Sequence, residues 1–234
     1  MLRLNTRTLI AVAGSIASFA APAGADFVGW AGALSTHGNY TYLDVFAVMT
    51  ASNNHLLNVF NMDISSSGAT FVQGATVATN KWAPSYGTAT MDSADSFVPF
   101  GAETYDGVTY ASSETTRDPN FTNYFTAGAT TIPLLAGWYS PSPTSTAGDA
   151  LPLLPAVQGA TWMGATAGYG VWIAHFAFDR SAIAPGASVH FGGKAGYRLA
   201  GSQVALFGQD SRTFLLPAPG AIAVMAAATG LRSR

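Results

Sequence analysis

The apolar residues of this chain occur in short runs that Gly, Asn, Asp, Ser or Pro interrupts every few positions. Short runs rich in β-branched and aromatic residues, without a helical period, are typical of β-strands. They predict an all-β fold, namely an antiparallel, jelly-roll-like β-sandwich of about ten strands with short apolar helices outside it at both termini. Besides the two hairpins described next, strands are predicted at 27–30, 70–78, 97–100, 171–178, 189–191, 197–199, 204–207 and 213–216.

The clearest alternation of apolar and polar residues lies in the segment 41–64. If Met49 faces Leu56 across the loop TASNNH, one face of the pair is almost wholly apolar. A slip of one residue would bury the polar side chains instead, so the pattern selects one register. This register predicts a hairpin in which Asp44 lies opposite Asn61. Its apolar face comprises Leu43, Val45, Ala47 and Met49 together with Leu56, Phe60, Met62 and Ile64.

The segment ETYDGVTYAS predicts a second hairpin. Asp106-Gly107 is a dipeptide favoured in two-residue type I′ turns, because both positions require a positive φ. The flanking β-branched and aromatic residues are good strand formers. Tyr105 is therefore expected to face Val108.

The charge distribution argues against nucleic-acid binding. The chain has twelve acidic and ten basic residues, but four of the basic residues lie near the two ends. The region between the ends therefore carries twice as many acidic as basic residues, whereas a nucleic-acid interface needs clustered Lys and Arg. The sequence contains no Cys, so a disulfide framework, a thiolate metal site and a thiol nucleophile are excluded.

The N-terminal 25 residues have the three parts of a secretory signal peptide. Arg3 and Arg7 form a positive leader, 8–21 is apolar, and Ala23-Gly24-Ala25 is a small-x-small cleavage site before Asp26. The apolar stretch is shorter than the roughly 20 residues that span a bilayer as a helix. We therefore predict cleavage after Ala25 and export of the chain.

The C-terminal sequence FLLPAPGAIAVMAAATGLRSR combines a proline motif, an apolar run and a basic tip. It resembles the PEP-CTERM sorting tail of exported bacterial proteins in its Pro-Ala-Pro-Gly form. The resemblance implies processing by an exosortase-type membrane protease, transient membrane contact through both ends, and a location in the cell envelope or outside the cell. The matching residues are Pro217, Ala218, Pro219 and Gly220 with Arg232 and Arg234.

The body between the ends, in segments such as DSFVPFG, resembles planctomycete-type exported proteins, a group with no assigned activity. The predicted organisation is a signal peptide at 1–25, a β-sandwich domain at 26–214 and a sorting tail at 215–234. Within the domain, 112–159 is rich in proline and polar residues and is expected to be a loop-rich excursion.

No catalytic residue and no metal ligand set is predicted. The histidines have none of the spacings of known metal or hydrolase motifs, and no nucleophile elbow or P-loop is present. His175, in the apolar strand VWIAHFAF, is placed on one face with Val171, Ile173 and Ala177, which predicts a hydrogen-bonded packing residue. Ligand chemistry leaves one cofactor open, a Ca²⁺ ion bound by Asp92, Asp95 and Asp118.

Aromatic residues beside prolines in loop-like sequence are the candidate ligand-binding residues. They are Trp82, Tyr86, Trp138 and Tyr139. Exposed rings in loops often stack on sugars or protein partners. The alternative is that each Trp fills an end of the sandwich core, since Trp is usually largely buried.

Together these features predict an exported, non-enzymatic structural or adhesive protein of the cell envelope or extracellular matrix. A carbohydrate-binding module that uses the aromatic loops on an extracellular polysaccharide is the first alternative. A hydrolase with an unrecognised site is the second.

Overall fold

The structure is a computed structural model. It describes residues 26–73, 89–105, 108–112, 114–121, 129–142, 145–153, 161–164 and 168–218. Both predicted terminal helices lie outside these ranges. Within the described ranges the chain forms twelve β-strands. They are β1 (Phe27–His37), β2 (Tyr40–Met49), β3 (His55–Ser67), β4 (Ala102–Tyr105), β5 (Val108–Ala111), β6 (Thr116–Arg117), β7 (Ala136–Tyr139), β8 (Leu151–Pro152), β9 (Thr161–Gly164), β10 (Tyr169–Asp179), β11 (Ser188–Arg198) and β12 (Leu206–Leu215).

Two five-stranded antiparallel sheets pack face to face, which confirms the predicted β-sandwich. Sheet A has the strand order β8-β10-β2-β1-β9, and sheet B has the order β12-β11-β3-β7-β6. β4 and β5 form a separate two-stranded hairpin. The described part of the predicted excursion 112–159 contributes β6, β7 and β8, and two of these strands, β6 and β8, lie at sheet edges.

The main hydrophobic core lies between the two sheets. Large aromatic side chains meet across it: the ring of Trp30 on β1 is 5.4 Å from that of Phe191 on β11, and Phe176 on β10 is 6.3 Å from the same ring. All three side chains are completely buried. Because each large buried side chain contributes about 1.5–3 kcal/mol, this layer is the principal source of stability.

The predicted hairpin of 41–64 is wrong. β2 pairs with β1 and β10 in sheet A, whereas β3 pairs with β11 and β7 in sheet B, so Asp44 and Asn61 are not partners. The loop between the strands crosses from one sheet to the other. The apolar residues nevertheless share one core, because the two strands face each other across the sandwich instead of pairing edge to edge.

The second hairpin has the predicted register. Tyr105 on β4 faces Val108 on β5, which leaves a two-residue connection. The connecting Asp106-Gly107 lies outside the described residues.

The other predicted strands are partly correct. The predicted strands 27–30 and 171–178 lie within β1 and β10, respectively. Two predicted pairs of short strands are single long strands. The predictions 189–191 and 197–199 fall on β11, which ends at Arg198, and 204–207 and 213–216 fall on β12, which begins only at Leu206 and ends at Leu215. The predictions at 70–78 and 97–100 are wrong where the structure describes them, since 70–73 form no strand and Phe97 makes only an isolated bridge to His175; 74–78 lie outside the described residues.

The two outer surfaces of the sandwich differ. The outer face of sheet A is covered by the segment 89–102, by β5 and by Leu153, which form a second hydrophobic cluster with Phe46 and Trp172. β2 is consequently buried along almost its whole length. The outer face of sheet B is exposed, above all along β12. Among the described residues, the sandwich therefore has one covered and one open outer face.

Candidate functional site

A buried His-Asp pair lies on the outer side of sheet A. His175 on β10 is directly opposite Asp44 on β2, and both side chains are completely buried. Nδ1 of His175 is 2.7 Å from Oδ1 of Asp44, and Nε2 is 2.9 Å from the backbone carbonyl oxygen of Ser93. Tyr42 and Phe97 stack against the imidazole, with ring centroids 5.2 Å and 4.7 Å away. His175 is therefore the hydrogen-bonded packing residue that its sequence context predicts.

The predicted face of His175 is right for Ala177 but wrong for Val171 and Ile173. A β-bulge in β10 places Trp172 opposite Phe46 and Ala174 opposite Val45, so Ile173 is an extra residue. Ile173 and Ala174 both contribute to the core between the sheets. The bulge shifts the alternation by one residue, and His175 consequently points to the outer side of sheet A.

The geometry of the pair fixes where its hydrogens lie. A carbonyl oxygen only accepts, so Nε2 of His175 donates to Ser93, and the contact between Nδ1 and Asp44 needs one further proton. Burial lowers the pKa of His175, but Asp44 and the bond to Ser93 raise it, and the pKa lies above its ordinary value. Burial raises the pKa of Asp44 against the opposing effect of His175. The pair therefore holds a shared proton tightly, and both ring nitrogens are occupied.

Tyr42 extends this polar arrangement under the covering segment. Its hydroxyl donates to the backbone carbonyl oxygen of Asp92 at 3.2 Å. Burial, reinforced by Asp92, raises the pKa of Tyr42 to about 12. Together with the bond from His175 to Ser93, this contact ties the segment 89–102 to the outer side of sheet A.

The candidate calcium ligands are not brought together. The Asp92 side chain is exposed, Asp95 is buried with Oδ1 accepting from the Ser96 amide, and Asp118 accepts from the Asn120 and Phe121 amides. Among the described residues, no group of three or more His, Asp or Glu side chains is arranged to hold a metal ion.

Of the four candidate ligand-binding aromatics, the structure describes two. Trp138 on β7 is completely buried, and its indole Nε1 donates to the backbone carbonyl oxygen of Pro99 at 3.1 Å. It fills the core, as the alternative interpretation predicts, and offers no surface to a ligand. Tyr139, the next residue, is 36% exposed. Trp82 and Tyr86 lie outside the described residues.

The predicted processing sites lie at the limits of the described chain. Asp26 is exposed and directly precedes β1, while Ala23 and Ala25 lie outside the described residues. Pro217 and Ala218 follow β12 and are half-buried. The rest of the sorting motif, Pro219, Gly220, Arg232 and Arg234, also lies outside the described ranges.

We refer to the outer side of β12, β11, β3 and β7 as the open face. Along β12 every second side chain points to solvent, and the residues that do so are Phe207, Gln209, Ser211, Thr213 and Leu215. The alternation follows from the two-residue period of a strand whose other side packs on the core.

The strand register aligns one row of residues across the open face. Phe207 on β12 lies opposite Gly196 on β11, which lies opposite Asn58 on β3, which lies opposite Tyr139 on β7. With neighbouring strands about 4.8 Å apart, this row is about 14 Å long. It brings the exposed Tyr139 onto the same surface as Phe207, which is 68% exposed.

Two phenylalanine rings meet over the glycine in the middle of this row. Phe60 on β3 and Phe207 on β12 lie on the two strands that flank β11, and their rings make an edge contact with centroids 5.9 Å apart. A side chain on Gly196 would collide with the Asn58 side chain and press on Phe207. The missing side chain of Gly196 thus allows the rings to lie against the sheet.

Polar groups border the aromatic rings. A shallow depression beside them is lined by Asn61, Lys194, Gln209 and Ser211, among others. Asp63 lies 3.7 Å from His190 on this part of the face, and Asp210, which also lines the depression, is paired with Arg212 at 2.7 Å. The open face therefore combines aromatic, amide and hydroxyl groups with few charges.

Sequence reasoning missed Phe60, Phe207 and Asn58. A β-bulge in β3 sets Asn61 and Met62 against the single residue Gly193, and Asn61 adopts a positive φ of 52°. A second bulge, at Leu57, lies where β3 passes from Tyr197 to Gly196. Between the two bulges Phe60 points outward, and Val59 occupies the core position predicted for Phe60. The alternation from Phe207 to Leu215 was the available signal, but the internal Gly and Asp residues made β12 resemble two strands joined by a turn.

No helix in the described part of the chain is both long and apolar enough to cross a membrane. Comparison with known proteins gives no match to a protein family, a curated protein or a solved structure.

Proposed function

We propose that this chain is an exported, non-enzymatic protein with a structural or adhesive role in the cell envelope or extracellular matrix. The observation that supports this role is the open face, where Phe207 and Leu215 are about two-thirds exposed although the outer side of sheet A is covered. The free energy falls when a partner removes aromatic and apolar side chains from water. A rigid sheet that presents them is suited to non-covalent attachment.

The two ends support the location. Arg3, Arg7 and the cleavage motif Ala23-Gly24-Ala25 are features of a secretory signal, and the tail that begins near Pro217 is similar to a sorting signal read by an exosortase-type protease. β12 ends at Leu215, two residues before that motif. Removal of the tail near Pro217 would therefore spare the last strand of sheet B.

We expect the exported protein to begin at Asp26 and to end near Pro217. Intact-mass measurement of the protein recovered from the envelope and medium fractions of a producing cell checks this expectation. Export is required for both cleavages, so cytoplasmic protein from the same cells serves as the uncleaved control. A protein found only in the cytoplasm, or an exported form that still ends at Arg234, would contradict the proposed sorting.

The adhesive role has its own readout in the same cells. The mature protein should stay with the envelope or matrix during washing, and a Phe207→Ala variant should be released into the medium. The matched control is Leu151→Ala, which removes an apolar side chain that is 48% exposed on β8 of the other sheet. Equal release of the two variants would reject the open face as the attachment surface.

A further inference from the structure

We propose that the open face binds a neutral polysaccharide, with the sugar chain crossing the strands from Phe207 to Tyr139. This inference rests on the proposed function, because it names the partner class for the same surface. It differs from the aromatic-loop alternative in its residues: the surface is built on strands, and Trp138 takes no part in it.

The aromatic rings provide the stacking surfaces. A sugar ring has apolar C–H faces and a polar rim of hydroxyl groups, so it suits a surface where flat rings alternate with hydrogen-bonding side chains. Phe207 stands at one end of the row and Tyr139 at the other, about 14 Å away across four strands. The ring of Phe60, on β3 beside the row, meets the ring of Phe207. The span from Phe207 to Tyr139 fits several sugar units of an extended chain better than one small molecule.

Hydrogen-bonding groups lie between the rings. Asn58 lies in the row between Gly196 and Tyr139, and its Oδ1 atom is buried without a hydrogen-bond partner. An unpaired buried acceptor destabilises the free protein, so a turn of the Asn58 side chain toward the surface, where a ligand hydroxyl donates to Oδ1, removes this cost. Gln209 and Ser211 border the same surface with further donors and acceptors.

The charges favour an uncharged polymer. The outward-facing positions of the paired stretch of β12, β11 and β3 between Ser188 and Gly196 carry one lysine, Lys194, and one aspartate, Asp63. Asp63 lies beside His190. An acidic polysaccharide would require clustered Lys or Arg, because a polyanion is attracted by a field of one sign. A mainly polar surface that carries one charge of each sign is suited to an uncharged sugar chain.

The shape of the surface is compatible with a linear ligand. β11 has glycine at two of its outward positions, Gly192 and Gly196. Both glycines are buried, because neighbouring side chains lie over them: Asn58 and Phe207 over Gly196, and His190 over Gly192. The rings of Phe60 and Phe207 therefore lie low against the sheet, and a sugar chain would meet these rings rather than the backbone.

The test is affinity electrophoresis of the purified full chain in native gels. The gels contain a neutral polymer (hydroxyethyl cellulose, dextran or a soluble β-1,3-glucan) or the acidic polymer alginate. We expect at least one neutral polymer to retard the protein and alginate to have no effect. Phe207→Ala and Tyr139→Ala should each weaken binding roughly tenfold, the factor that corresponds to loss of one good contact.

Leu151→Ala is the matched control and should bind as the unaltered chain does. Because the Phe207 side chain is exposed, Phe207→Ala should also keep its melting temperature within about 2 °C, which separates lost contact from lost fold. Trp138→Phe, a change in the core, should bind normally at a temperature where it is folded.

The outcomes separate this inference from the proposed function. Retardation by no neutral polymer, or equal retardation of all variants, overturns the polysaccharide inference. If envelope retention still depends on Phe207 in that case, the adhesive role stands with a protein partner. Preferential binding of alginate overturns the argument from charge. If no neutral polymer retards the protein and envelope retention does not depend on Phe207, both proposals are overturned.

Discussion

Replacing Asp44 with alanine is expected to lower the free energy of unfolding by about 3–5 kcal/mol, the usual cost of removing one partner of a buried ion pair. The change leaves Nδ1 of His175 without its partner in a site with no access to water. Domains of this kind have a total stability of only about 5–15 kcal/mol. Urea denaturation monitored by circular dichroism measures the loss.

Two further variants identify the cause. Asp44→Asn keeps the side-chain shape, and its amide can donate to Nδ1 of His175 while Nε2 still donates to Ser93. We expect it to recover most of the lost stability. Asp63→Ala, at an exposed strand position, should change the unfolding free energy by less than about 0.5 kcal/mol. Similar losses from Asp44→Ala and Asp63→Ala would show that the buried pair is unimportant.

The same pair makes stability depend on pH. Because the pKa of His175 is raised in the folded protein, its contribution is complete below the ordinary histidine value of about 6.5. It is lost as the pH rises through the folded pKa, since the unfolded chain has already released that proton. The raised pKa of Asp44 acts in the same direction. Between pH 6.5 and 9, below the titration of Tyr42, stability should therefore fall for the unaltered chain.

The Asp44→Asn variant provides the control for this pH effect. It has no carboxylate to hold the shared proton, so its unfolding free energy should change less with pH over the same interval. Titration of unfolding free energies at constant ionic strength compares the two proteins. Parallel pH profiles would assign the effect to groups other than the pair.

The fold class could be predicted from the sequence because it depends on local patterns. Short alternating runs define strands, and the Asp-Gly dipeptide defined the β4–β5 register. Strand pairing is harder to predict from the sequence, because the apolar pattern of β2 and β3 is the same whether the strands pair in one sheet or face each other across a sandwich. Tertiary packing decides between these arrangements, and no short-range signal records it.

β-Bulges explain why candidate site residues were misplaced. One extra residue near Ile173 moved His175 to the opposite face, and the bulges at Leu57 and Asn61 turned the half-buried Phe60 outward. A strict two-residue period cannot anticipate such an insertion. The open face also depends on the covering of sheet A by residues distant in sequence, so exposure of Phe207 required the assembled structure.

The second large effect on stability is expected at Trp138, because this aromatic side chain is completely buried. Trp138→Ala should lower the unfolding free energy by about 3–5 kcal/mol, because it leaves a large cavity in the core. The indole packs edge-on against Phe121, with centroids 5.8 Å apart, and donates to Pro99. For a domain of this size, the melting temperature should fall by roughly 6–20 °C, which differential scanning calorimetry measures.

Neighbouring and conservative substitutions test whether Trp138 acts only through the core. Trp138→Phe retains much of the apolar volume but leaves the carbonyl oxygen of Pro99 without its donor, so we expect a smaller loss of about 1–3 kcal/mol. Tyr139→Ala, one residue further along β7, should cost less than about 1 kcal/mol, because its side chain points to the open face. If Trp138→Ala had the same melting temperature as the unaltered chain but no longer bound the ligand, Trp138 would be a surface residue. The assignment of the open face would then have to be abandoned.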